Sequence, residues 1–134
     1  MQVDVQLRSL PGTEAAVGWA GGHTIVADRP EGKAGGKGLG FNGGQLLALA
    51  LGGCFCNDLR YVAEKLGVRI GEISVDVQLD LAGEPLVATS ARMSVDCRMA
   101  DGSDPAKVIE QAKSSCFVSN TLMRGVSVDI SMAG

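Results

Sequence analysis

Aromatic residues are scarce in this chain of 134 residues: Phe, Trp and Tyr together make up 4%. With a hydrophobic fraction of 46%, the core must be assembled from Val, Leu, Ile, Ala and Met. Clusters of positive charge are missing too. Twelve Lys and Arg are interspersed among fifteen Asp and Glu, for a net charge of -3. A phosphate backbone needs an electropositive face, so nucleic acid is not an expected partner. There is a single His, His23, and the four Cys show no paired metal-ligand spacing. A structural zinc site needs four such ligands, so no metal is expected. The apolar run Leu46 to Cys56 is shorter than the roughly 20 residues that cross a bilayer. No membrane partner is expected. The opening "MQVDVQLRSL" alternates as a strand does and lacks the basic and apolar regions of a signal peptide. Reduced thiols and no export signal suggest the cytoplasm.

What the sequence has in quantity is glycine. Much of it lies in "RPEGKAGGKGLGFNGG", residues 29 to 44. The stretch lacks the Gly-Lys-Ser/Thr ending of a phosphate loop. Its composition predicts a mobile connection. Before it lie three strand candidates, at residues 2 to 8, 14 to 19 and 23 to 28, separated by "LPGT" and "AGG". After it, Leu47, Leu51, Phe55, Leu59, Val62 and Leu66 recur at spacings of three and four. This predicts a helix from Gly43 or Gly44 to Leu66, stopped by Gly67. Its first half is apolar on nearly every side and therefore needs cover on every side. A second subunit is expected to help supply it.

Two alternating strands follow. In "EISVDVQLDL", Ile73, Val75, Val77, Leu79 and Leu81 face one way. In "VATSARMSVDCRM", Met93, Val95, Cys97 and Met99 do. A helix begins at Asp104 and Pro105, an N-cap followed by a first-turn proline. It runs into "SSCFVSNTLMRG" as a bent or second helix. "VSVDIS" then reads as a closing strand with Val126, Val128 and Ile130 inward. The order of elements is α+β, in one domain spanning 1-134.

Two cysteines are candidates for chemistry. Cys97 sits on the inward face of a strand and reads as a small core residue. Cys54 and Cys56 project roughly 200° apart on a helix, so they form neither a disulfide nor a joint metal site. Cys54, in "GGCFCNDL", and Cys116, in "SSCFVSNTL", remain. They lie 62 residues apart (116 − 54), and spacing alone does not pair them.

The segments "NGGQLLALALGGCFCNDL" and "CFVSNTL" resemble the two signature regions of the OsmC/Ohr family. "GGHTIVAD" and "GGKGLG" resemble its OsmC-like branch. The resemblance covers nearly the whole chain. It implies antiparallel sheets packed around a long central helix in an intertwined homodimer, with active sites at the subunit interface. It also implies thiol-dependent reduction of small apolar organic hydroperoxides or hydrogen peroxide, as a defence against oxidative stress. Carried over by position, Cys54 is the nucleophile and Cys116 the resolver. No cofactor is implied beyond an external thiol reductant, lipoyl-type in some members.

The family's activating groups are not in their usual places. The position of its Glu is Gly44, the early hairpin carries no Arg, and the Pro after the second cysteine is Phe117. A mid-helix thiol gains nothing from the helix dipole, so activation needs a cation within about 4 to 6 Å. His23, Arg29 or, contributed from the dimer partner, Arg60 or Arg124 are the candidates. A non-catalytic protein holding an apolar small molecule at the dimer interface is the alternative. A thiol-reactive sensor using the same cysteines is a third.

Overall fold

The computed structural model describes residues 1–134. They form two compact units, Met1–Leu47 and Ala48–Gly134.

The first unit is a three-stranded antiparallel meander, β1 (Gln6–Ser9), β2 (Ala16–Ala20) and β3 (His23–Ala27), in that order. The predicted first strand is shorter than its alternation suggests. Val3 and Val5 lie outside the ladder and are exposed. Apolar alternation invites pairing, but only residues that meet a partner's backbone become strand.

The glycine-rich loop departs from expectation more sharply. It is organised around Asp28, which is 6% exposed. The Asp28 carboxylate accepts hydrogen bonds from the backbone N–H groups of Arg29, Lys37 and Leu39 at 2.8 to 3.0 Å. These bonds, that from Leu39 foremost, hold its pKa below the ordinary carboxylate value. Gly40 passes so close to Val26 that a Cβ would lie 2.0 Å from the Val26 carbonyl oxygen. Glycine is required there by proximity, not by mobility.

The long helix α1 spans Gly43–Leu66, as predicted. Its start is a reciprocal capping box. Gln45 N–H donates to Asn42 Oδ1 at 2.9 Å, and Asn42 N–H donates to Gln45 Oε1 at 3.0 Å. Its end is a Schellman motif: Gly67 at φ 70° donates to Glu64 O, and Val68 N–H to Ala63 O. By length and composition alone α1 would suffice to cross a membrane, with a mean hydropathy of 1.3 over its most apolar window. Its second half nonetheless carries Asp58, Arg60, Glu64 and Lys65.

In the second unit, β4 (Ile70–Ala82) and β5 (Val87–Met99) form a long antiparallel hairpin. Val75 pairs with Val95, Val77 with Met93 and Ile73 with Cys97, so one face is apolar. Leu81 pairs with Ala88 beyond a register shift that leaves Thr89 of β5 unpaired, and it is 47% exposed near the turn end of the hairpin. The helices α2 (Ala106–Ser115) and α3 (Phe117–Arg124) follow. Asp104 Oδ1 accepts from Ala106 N–H at 3.0 Å, closing the start of α2. Leu51, Phe55, Leu59, Val62 and Ala63 of α1 pack in one core with Ile70, Cys97 and Met99 of the hairpin. Val108, Ala112 and Cys116 complete it.

The predicted closing strand does not form. Residues 126 to 131 have no ladder partner, and Val126, Val128 and Ile130 are 71%, 75% and 90% exposed rather than inward. A strand is a relation between two backbones, and within one chain none is offered to this segment.

Candidate functional site

Cys54 lies on α1, one turn before Asp58. Residues four apart on a helix share a face, so the thiol and the carboxylate meet. Cys54 Sγ–H donates to Asp58 Oδ2 at 3.4 Å. Both residues are half-buried. Cys116 comes from the other end of the unit. It is the single non-helical residue between α2 and α3, with φ −62° and ψ 114°. That bend drives its side chain into the core, where it is fully buried. The three ligand atoms, Cys54 Sγ, Asp58 carboxylate oxygen and Cys116 Sγ, all lie within 4.8 Å of one another. The two thiols that spacing left unpaired are therefore neighbours, and both are free.

Burial pushes the Cys116 thiol up to about 11. The Ser119 backbone N–H partly offsets this, while Cys54 and Asp58 add to the rise. Cys116 is thus a protonated thiol at neutral pH. It also lines a cavity of about 530 Å³, with Phe55, Met93, Val95, Ile109 and Met123 as apolar walls. Glu110 and Lys113, paired at 3.4 Å, line it as well. This volume is in the range of small-molecule sites.

The remaining cysteines stay apart from this chemistry. Cys97 is 5% exposed in the core, and burial raises its pKa, as befits an inert thiol. Cys56 lies outside the cluster formed by Cys54, Asp58 and Cys116.

Within one chain, Arg29 and Arg60 are engaged elsewhere. Arg29 pairs with Asp28 at 3.4 Å and donates to Glu14 O. Arg60 donates to Ile70 O at 3.0 Å. His23 opens β3 and is exposed, and Arg124 ends α3. No Lys or Arg forms an ion pair with Asp58. Sequence reasoning missed Asp58, although the signal was present: it stands four residues after Cys54 on a correctly delimited helix.

The chain is thus an α+β protein with one free thiol on a long capped helix and a second at a helix joint beside it. A family model described as OsmC-like protein matches residues 35–131, and the chain belongs to that family. Comparison with curated protein sequences finds no match. Among solved structures, the chain is similar to an OsmC-like protein from Mycoplasma pneumoniae (TM-score 0.74, 16% identity, covering 92% of this chain and 88% of that one). It is also similar to an organic hydroperoxide resistance protein OsmC from Legionella pneumophila (TM-score 0.63, 18% identity, 91% and 89% covered). A third is the organic hydroperoxide resistance protein OhrB of Bacillus subtilis (TM-score 0.56, 21% identity, 90% of each chain covered). At these identities the likeness establishes the fold.

Proposed function

We propose that the protein reduces organic hydroperoxides or hydrogen peroxide through Cys54 and Cys116. The observation that carries this reading is the approach of the two sulfur atoms within 4.8 Å, one half-buried and one beside an apolar cavity. The names of the Legionella and Bacillus relatives point the same way.

Asp58 acts as a general base and does not replace an activating cation, because its negative charge does not favour a resting thiolate. Its carboxylate takes the Cys54 proton as the sulfur attacks the distal peroxide oxygen and the O–O bond breaks. The proton passes on to the departing alkoxide. The products are a Cys54 sulfenic acid and an alcohol. The Cys116 sulfur then displaces hydroxide from the sulfenic acid, forming a disulfide and releasing water. An external dithiol, lipoyl-type in chemistry, reduces the disulfide and is itself oxidised. No resident cofactor takes part.

The protein acts in the cytoplasm as a homodimer, with neither nucleic acid nor membrane as partner. The exposed apolar residues Val126, Val128 and Ile130, together with Phe117 and Met123, support a second copy as their cover. Free cysteines at all four positions suit a reducing compartment.

A second reading has its own support. The cavity beside Cys116 would hold an apolar small molecule without turnover, and within the chain no Lys or Arg pairs with Asp58 next to Cys54. One experiment separates the two. Reduced protein is titrated with cumene hydroperoxide and with hydrogen peroxide, and disulfides are mapped by mass spectrometry. A Cys54–Cys116 disulfide formed at stoichiometric peroxide supports the peroxidase. Thiols still reduced under a modest excess of both peroxides would leave ligand binding as the function.

A further inference from the structure

We propose that the reduced site binds a thiophilic divalent cation of the zinc(II) class through Cys54 Sγ, Cys116 Sγ and one Asp58 carboxylate oxygen. The spacing of cysteines along the chain offers no metal-ligand pattern, and Cys54 and Cys56 diverge on the helix. The fold assembles a different donor set. Two sulfurs and one carboxylate oxygen come within 4.8 Å of one another.

The dimensions fit. In a tetrahedral zinc site, with Zn–S about 2.3 Å and Zn–O about 2.0 Å, the sulfur–oxygen edge is about 3.5 Å and the sulfur–sulfur edge about 3.8 Å. The Cys54 Sγ to Asp58 Oδ2 distance is 3.4 Å, already at that edge. These two donors are held in register by one helix turn. The third, Cys116 Sγ, lies within 4.8 Å of both.

The donor chemistry selects the ion. Two sulfurs disfavour magnesium and calcium, which take oxygen ligands, and favour zinc and its softer congeners. The charge balance agrees. Ligation by both thiolates and the carboxylate places three negative charges together, and no Lys or Arg ion pair neutralises Asp58. A divalent cation supplies the missing charge, while protons leave the two thiols for solvent. Three protein ligands leave one coordination position for water or a small ligand.

This proposal stands apart from peroxide chemistry: a protein with no turnover would still bind the ion. If the peroxidase reading also holds, metal and oxidation compete, because a disulfide removes both sulfur ligands.

The test titrates the full-length, reduced, metal-free protein with cadmium(II), read by thiolate-to-metal absorption, and with zinc(II) by equilibrium dialysis. One equivalent is expected to bind. Cys54→Ser and Cys116→Ser abolish the thiolate band of that equivalent. Asp58→Asn, a near-isosteric change, weakens affinity by at least about tenfold, since even outer-shell changes cost that much. Cys56→Ser leaves binding unchanged. Circular dichroism confirms that each variant is folded, and the half-buried Cys54→Ser and Asp58→Asn variants decide the matter if Cys116→Ser does not fold. Failure to bind either ion, or binding that Asp58→Asn leaves intact, or binding lost with Cys56→Ser, overturns the proposal.

Discussion

Raising the pH should accelerate disulfide formation far more steeply than it accelerates the first oxidation. The perturbation is a pH series from neutral to strongly alkaline on the reduced protein, given one equivalent of peroxide. Resolution requires the Cys116 sulfur as a thiolate. Burial holds this thiol up to about 11. At pH 7 its thiolate fraction is then about one in ten thousand, against about 3% for a free thiol ionising near 8.5. The more basic thiolate is also the stronger nucleophile, so resolution should run about 20-fold slower than an unburied cysteine would allow. The Cys54 sulfenic acid should persist at neutral pH long enough to be trapped with dimedone. The rate of disulfide formation, followed by rapid quench and mass spectrometry, should rise about tenfold per pH unit and flatten as pH nears 11. A rate independent of pH between 7 and 10, with no trappable sulfenic acid, would refute this reasoning. Cys116 would then lose its proton in concert with the attack rather than beforehand.

Other outcomes follow from single features. Asp58→Asn should slow the first oxidation of Cys54 by about a hundredfold, the usual worth of a positioned proton acceptor, in stopped-flow measurements with limiting peroxide. An unchanged rate would remove Asp58 from the chemistry. Gly53→Ala should raise stability by about 1 kcal/mol, because a helical alanine is favoured and the new methyl meets open space. Gly52→Ala should instead lower it, by up to about 2 kcal/mol, because its Cβ would stand 2.9 Å from Val77 Cγ2 and overpacking outweighs propensity. Equal effects in chemical denaturation would contradict this packing. The depressed Asp28 carboxylate stabilises the loop at all pH values above its unfolded pKa near 3.8, and that contribution is lost as pH falls through the lower folded value. Amide exchange at Lys37 and Leu39 should accordingly stay slow down to pH 4 and quicken below it, whereas Asp28→Asn should quicken it at every pH.

How much of this was legible in the sequence depended on how far apart the cooperating residues lie. The helix α1 was readable end to end because its signals are local: a 3.6-residue period, Asn42 and Gln45 at one end, Gly67 at the other. The β4–β5 hairpin was readable because its alternation has one wet face, although the register shift at Thr89 and the exposure of Leu81 leave no mark on hydropathy. The order within the glycine-rich loop was hidden. It depends on Asp28 reaching backbone groups nine and eleven residues away. The candidate site was half visible. Cys54 and Cys116 stood out through resemblance, but their proximity depends on the bend at Cys116 and on the shared core. Asp58 could have been found by the same helical geometry that separated Cys56 from Cys54.

The segment from residue 126 to 131 makes folding a question of molecularity. Its valines and isoleucine alternate as in a strand, yet its backbone finds no ladder within its own chain. Should a second copy cover it, its last gain in free energy comes from a bimolecular event. In the homodimer proposed above, the melting temperature should therefore climb with protein concentration, as it does when association favours the native state. On dilution, or during slow synthesis, the same residues are an unpaired apolar edge that any exposed strand can capture. A charge placed at Val128, on the apolar side of that edge, would trade assembly for solubility.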